Sequence, residues 1–177
     1  SNPEHNNFIF RWTNRLHWKT RKQIVSDEVL LEVGSSYSVD LAEETARNLR
    51  QNLSLYDAWV IPDTLPNGHL VVTVVTIDQW SLSGGFNAKR EANEINYWVG
   101  LSDKNFLGQN QLVSSTYFIR TSEENFARAT FADNRLFGRP VSMKLDYSND
   151  PQIIFTEFVL SKPYYTLSQN FAFVFAA

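Results

Sequence analysis

Three histidines, His5, His17 and His69, are the nitrogen ligands this chain could offer a metal, and it has no cysteine to supply a thiolate. They are scattered, and no two share a spacing that would bring both to one ion. Structural or solvated roles are the simpler reading. Asp63, Asp78 and Asp103 could form a general acid–base pair if the fold brought two together. Each falls at an expected strand end or turn, where Asp commonly bonds its own backbone. The sequence has no Gly-x-Ser-x-Gly elbow, no phosphate-cradling glycine loop and no His-Glu-x-x-His run. Gly84-Gly85 reads as a turn or a bulge. The chemistry expected is therefore binding, with no enzymatic activity, no metal and no cofactor.

Aromatic side chains are the other resource. They make up 14% of the chain, more than a small core needs, and most lie in strand-like segments. Trp12, Trp18 and Trp59 read as core or edge residues, while Trp80 and Trp98 could stack on a sugar. A net charge of −3 gives no electrostatic case for nucleic acid or anionic lipid. At 177 residues the chain can hold one ordinary domain or two small ones. No apolar run approaches the roughly 18 residues of a membrane helix.

The elements that must position these residues fall into two sets. In residues 8–79, residues 8–12 read as a strand. Thr20-Arg21-Lys22-Gln23 has the form of a capping box. Ile24, Val25, Glu28, Val29 and Leu31 then predict a short helix, stopped at Gly34. A second helix start lies at Ser38–Asp40, and Leu41, Thr45, Ala46, Leu49 and Leu53 recur at helical spacing. Arg47 and Arg50 fall on its solvated side. Ala58, Trp59, Val60 and Ile61 form a short strand, Pro66-Asn67-Gly68 a turn, and residues 70–77 a β-branched strand with apolar residues on both faces. That run fits a strand covered on both sides or paired on both edges. The order is β-α-α-β-β, with two helices on one face of a three-stranded sheet.

This order resembles a POTRA (polypeptide-transport-associated) domain. The resemblance is carried by Gly34 before Tyr37-Ser38, by Ala42-Glu43-Glu44-Thr45-Ala46-Arg47-Asn48-Leu49-Arg50 and by the Val-rich last strand. Asn14-Arg15-Leu16-His17 followed by Thr20 and Ile24 is similar to the way some such domains begin. The resemblance implies that residues 70–77 are central, and that the strand of Ala58, Trp59, Val60 and Ile61 is an edge that binds polypeptide by strand addition.

From residue 80 onward helix signals disappear. Ile95, Tyr97, Val99 and Leu101 alternate with Asn96, Trp98, Gly100 and Ser102. Val113, Tyr117 and Ile119 lie on one side of the next strand. Further strands are expected near residues 81–86, 126–132, 141–147, 153–160 and 171–175, about seven in all and antiparallel. Asn105-Phe106-Leu107-Gly108, between Val99-Gly100-Leu101-Ser102 and Gln111-Leu112, resembles the first barrel hairpin of the outer-membrane assembly and translocation superfamily, which includes the bacterial surface antigens. Ser161-Lys162-Pro163-Tyr164-Tyr165-Thr166-Leu167 resembles a turn between barrel strands of that group. Such barrels use about 16 strands of roughly 9–11 residues. Residues 80–177 are therefore expected to be an incomplete barrel.

The fold class expected is an α+β POTRA-like unit at 8–79 followed by an all-β antiparallel segment at 80–177. The resemblance implies a non-enzymatic protein of the bacterial outer membrane. It would aid protein assembly into that membrane or translocation across it, with the POTRA-like unit in the periplasm. Its partners would be an extended polypeptide or a periplasmic protein, and outer-membrane lipid against Ile95, Tyr97, Val99, Leu101, Val113, Tyr117 and Ile119. The alternative is a soluble β-rich binding module, with glycan as one candidate ligand, appended to a POTRA-like domain. The charges from Glu123 to Arg139 favour that alternative unless they form an extracellular loop and its flanks.

Overall fold

The computed structural model describes residues 18–91, 94–165 and 169–177. The expected strand at 8–12, with Trp12, His5, His17 and the Asn14–His17 match, lies outside the described residues, as do Thr166 and Leu167.

The first helix, α1 (Lys22–Ser26), is shorter than expected and has no capping side chain. The capping box fails because Thr20 is engaged elsewhere. Its N–H donates to Asp78 Oδ1 at 3.0 Å, and its hydroxyl accepts from Asn105 Nδ2 at 3.2 Å. At the other end Ser26 Oγ bonds back to the Lys22 and Gln23 carbonyls. Gly34 is thus not this helix's stop, although its φ of 86° does mark a turn.

The second helix, α2 (Val39–Arg50), begins where Ser38 Oγ accepts from the Leu41 N–H at 3.3 Å. Asp40 in its first turn and Arg47 and Arg50 in its last suit the helix dipole. Leu49 is fully buried, with Thr45, Ala42 and Ala46 beside it. Leu41, expected in the core, is 37% exposed instead. The helix is turned so that Ala42 faces inward in its place, which lets the backbone approach the strands closely. Leu53 is half-buried.

Strands β1 (Leu55–Thr64) and β2 (Leu70–Asp78) form an antiparallel hairpin in which Trp59 faces Val75 and Val60 faces Val74. Asn67 Oδ1 accepts from the His69 N–H and Gly68 takes φ 81°, so the expected turn is built by those residues. β1 is longer than residues 58–61 and runs through Pro62, a residue found on strand edges because it cannot donate to a ladder. A small core of Leu49, Leu55 and Ala58, with Val25 and Val74 against it, joins helix to hairpin. β2 is not covered on both faces among the described residues. Val72 and Val74 are half-buried, whereas Val71, Val75 and Ile77 are exposed. One helix layer covers one sheet face only. β1 is the partner β2 has among the described residues, so whether β2 is central turns on residues outside them.

The rest of the described chain is a seven-stranded antiparallel meander in sequence order. Its strands are β3 (Leu82–Glu91), β4 (Glu94–Asp103), β5 (Gln111–Ile119), β6 (Phe126–Asp133), β7 (Ser142–Asp150), β8 (Ile153–Lys162) and β9 (Phe173–Ala176). Gly84 and Gly85 are neither turn nor bulge. They pair in register with Leu101 and Gly100 inside β3. A β-carbon at Gly85 would stand 2.8 Å from the Trp98 ring, so the glycine makes room for the indole. The charges from Glu123 to Arg139 do not form one loop with its flanks. They divide among the β5–β6 connection, β6 itself and the β6–β7 turn at the opposite end.

Leu49 fills the junction of α2 with the hairpin, so Leu49→Ala leaves a cavity there. It is expected to lower stability by about 2–5 kcal/mol. The check is hydrogen exchange, with protection lost along α2 and β1 and retained in β4–β7.

Candidate functional site

Three surfaces carry the candidate function. The first is a groove between α2 and β1, about 700 Å³ in volume, lined by Tyr37, Glu43, Arg47, Trp59, Val60 and Ile61 among others. It contains three of the four residues expected at the edge strand. The fourth, Ala58, is fully buried in the core beneath it. Trp59 and Ile61 are 41% and 50% exposed, so apolar surface stands open beside the strand. Arg47 pairs with Glu44 at 3.0 Å and Arg50 lies 3.8 Å from Asp57. The helical wall of the groove therefore carries paired arginines beside Asp40 and Glu43. On the edge away from β2, β1 has no strand partner among the described residues. An extended segment laid there could continue the ladder and seat alternate side chains in the groove.

The second surface is one face of the meander. Register places Tyr97 opposite Ile119 and Val99 opposite Tyr117. Directly paired residues share a face, and alternate residues along a strand return to it. Ile95, Tyr97, Val99, Leu101, Val113, Tyr117 and Ile119 therefore all lie on one side. Six of them are 37–60% exposed, and Val113 is half-buried. Phe86 opposite Val99, Leu145 opposite Phe131 and Tyr147 opposite Ala129 extend the same side across further strands. No second sheet covers it among the described residues.

The opposite face carries a polar row, with Leu112, Phe118, Phe126 and Phe155 beside it. Ser102, Ser114, Thr130, Asp146 and Glu157 form a row across five strands. Thr130 Oγ1 donates to Asp146 Oδ1 at 2.6 Å, and Lys144 pairs with Asp146. Farther along, Asp150 receives Arg120 at 3.0 Å and Arg128 at 3.6 Å. Arg120 also lies 4.4 Å over the ring of Phe126, which stacks on Phe118. Trp98 is on this face, half-buried above Gly85, and is not a free stacking platform. Trp80 is 49% exposed.

The third surface joins the two units. In the β4–β5 turn the Asn105 N–H donates to Asp103 Oδ1, Leu107 takes φ 55° and Gly108 φ 74°. The β6–β7 turn repeats this geometry. The Arg135 N–H donates to Asp133 Oδ1, Phe137 takes φ 56° and Gly138 φ 72°. Asn105 and Arg135 occupy equivalent positions, and both side chains reach the helical unit. Asn105 Nδ2 donates to the Trp18 carbonyl at 2.9 Å as well as to Thr20. Arg135 grips Glu28 with two bonds, Nε to Oε1 at 2.7 Å and Nη2 to Oε2 at 3.0 Å. Burial pushes the Glu28 carboxyl above the usual range, against the lowering pull of Arg135. Tyr165, from the segment after β8, stacks on the Arg135 guanidinium at 4.4 Å, and its hydroxyl accepts from Nε at 3.1 Å.

Sequence reasoning singled out Asn105-Phe106-Leu107-Gly108 but missed Arg135-Leu136-Phe137-Gly138. The signal was present, since Asp133 through Gly138 repeats the Asp-x-x-apolar-apolar-Gly spacing of Asp103 through Gly108. Asp103 and Asp133 serve their turns, and Asp78 bonds the Thr20 N–H, so these carboxylates hold backbone. Among the described residues no three His, Asp or Glu side chains converge as a metal site would need.

No family model matches this sequence, and no curated protein matches it. Among solved structures, the chain is similar to the crystal structure of BamA from Haemophilus ducreyi lacking POTRA domains 1–3, with a TM-score of 0.57 and 12% identity. The likeness covers 81% of this chain and 29% of that one, so this chain spans under a third of the length of the structure it matches. At that identity the likeness is one of fold, and the fold is outer-membrane-barrel-like, mostly antiparallel β-sheet with few helices.

Proposed function

We propose that this chain is the POTRA-like unit and the first barrel strands of an outer-membrane protein that assists polypeptide assembly into, or passage across, that membrane. The observation that carries the reading is the two-sided register of the meander. One side presents apolar residues from Phe86 to Tyr147 with no second sheet over them among the described residues, and the other carries a row of Ser, Thr and Asp with hydrogen-bonded Arg beyond it. Barrels in a membrane alternate in this way, apolar toward lipid and polar toward the lumen. The likeness in fold to BamA supports the same reading. The helical unit packs against the turns at one end of the strands, which suits a periplasmic position. Its β1 edge and adjoining groove would bind an extended segment by strand addition, and the work done is binding rather than catalysis.

Single cysteines can be introduced into these residues, which have none of their own, once any cysteine elsewhere in the full-length protein has been replaced. With probes at Tyr97, Val99 and Tyr117 of the full-length protein in membranes, lipid-borne quenchers are expected to reach all three, and to miss a probe at Thr116 on the polar side. Protection of all three by protein, in a water-soluble molecule, would replace the barrel with the soluble binding module. For the groove, a photo-crosslinker at Ile61 should capture a client peptide of alternating apolar residues at every second position, the period of a paired strand. Crosslinks without that period would remove strand addition.

A further inference from the structure

The two turns that meet the helical unit share a backbone but not a chemistry. The β4–β5 turn is held chiefly by side-chain amides and backbone groups, with no ion pair across it among the described residues. Besides the Asn105 bonds, the Arg21 N–H donates to the Gly108 carbonyl at 2.9 Å and Arg21 Nε to the Leu107 carbonyl at 3.1 Å. Asn110 Oδ1 accepts from the Ser54 N–H at 3.2 Å, and Asn110 Nδ2 donates to Asn52. The Asn110 N–H donates to Asn105 Oδ1, closing a network of buried amides. A β-carbon at Gly108 would run into the Lys19 carbonyl oxygen, so the two backbones are in direct contact.

The β6–β7 turn is held chiefly by charge. Glu28 is 1% exposed and the Arg135 side chain 10%. The pair lies beside a polar cleft of about 180 Å³ lined by Glu28, Asn48, Asn52, Asn134 and Tyr165 among others. A buried ion pair contributes little net stability, because desolvating both charges offsets their attraction, but its bidentate geometry holds position closely. The guanidinium also binds the Gly138 carbonyl of its own turn at 3.0 Å and carries Tyr165 on its face, and the Tyr165 carbonyl accepts from Asn48 Nδ2 on α2. Three segments thus meet at Arg135, and α2 joins them through Tyr165.

We propose that the amide network at Asn105 is a pivot and the Glu28–Arg135–Tyr165 cluster a clasp, which together set the angle of the helical unit against the sheet. With the clasp open, the unit swings about the first turn while both parts stay folded. Arg135 is a positioning residue here, whatever the outer face of the sheet meets.

The test uses the full-length protein, in lipid nanodiscs or, should it prove water-soluble, in buffer. Spin labels at Val33 in the helical unit and Ile153 at the far end of the sheet report the angle through their distance distribution. Glu28→Gln keeps the shape of the side chain, and Arg135→Lys keeps the charge while losing the fork. Each is expected to broaden the distribution about twofold, and the double variant no further, since both open one clasp. The Arg21 amide should keep its hydrogen-exchange protection in all three, marking an intact pivot, and so should α2. Unchanged distributions would overturn the proposal. So would broadening accompanied by loss of protection in α2 or at Arg21, because the cluster would then be a stability element and not a clasp. If Arg135→Lys does not fold, Glu28→Gln decides on the same two readouts. Failure of both to fold also overturns it.

Discussion

Strand register is the constraint on which the rest of this molecule depends. Side chains alternate along a strand, so a slip of one residue would exchange the two faces of the meander. Tyr97 opposite Ile119 and Thr130 opposite Asp146 are consequences of one pairing pattern. The turns fix that pattern. In the β4–β5 and β6–β7 turns a non-glycine residue and the glycine after it both adopt positive φ, a conformation few sequences accept. Asp103 and Asp133 each bond a backbone N–H two residues on, closing the turn from within. The same residues that set the register therefore also build the surface on which the helical unit rests.

That double use explains what the sequence made legible. The meander could be read because alternation is a local signal, as in Ile95, Tyr97, Val99 and Leu101. All seven residues expected on one face do share it, since a strand has only two faces. In the helical unit, Leu49 and the β1–β2 turn stand where periodicity and Pro66-Asn67-Gly68 put them. Leu41 and the second face of β2 failed because one helix layer covers one face only, and the remaining failures share one cause. Thr20 looked like a helix cap, but its hydroxyl accepts from Asn105, 85 residues away. Glu28 and Asn48 gave no sign of a distant partner, yet they meet Arg135 and Tyr165. A polar side chain buried by a distant partner leaves no periodic trace, so local patterning assigns it to water. Gly84-Gly85 misled for a related reason, because the need for room came from Trp98 on the neighbouring strand.

The junction between the units is built from these misread residues, and its polarity has a physical consequence. The apolar core of the helical unit is small, with Leu49, Leu55 and Ala58 at its centre. An apolar junction would have joined that core to the sheet and made the two parts one. Here the contact is made of Asn105, Asn110, Asn52, Glu28 and Arg135, bonded to one another or to backbone, with Asn52 Nδ2 alone among their buried polar atoms left without a hydrogen bond. Such contacts are directional, and they hold an orientation more than they add net stability.

Apolar surface is meanwhile kept where it is open: at Trp59 and Ile61 beside the β1 edge, and across the outer face of the meander. Neither surface is used in holding the two units together. α2 is the element that touches both concerns. Its Glu43 and Arg47 line the groove, its Leu49 anchors the hairpin, and its Asn48 bonds the residue that stacks on Arg135. A segment bound in the groove would press on a helix whose other side is fixed to the sheet through Tyr165. If the angle of the unit alters the groove, occupancy of the groove must bias that angle in return, by the reciprocity that binds any two linked equilibria. The physical route for such linkage is short: one helix, one tyrosine and one ion pair.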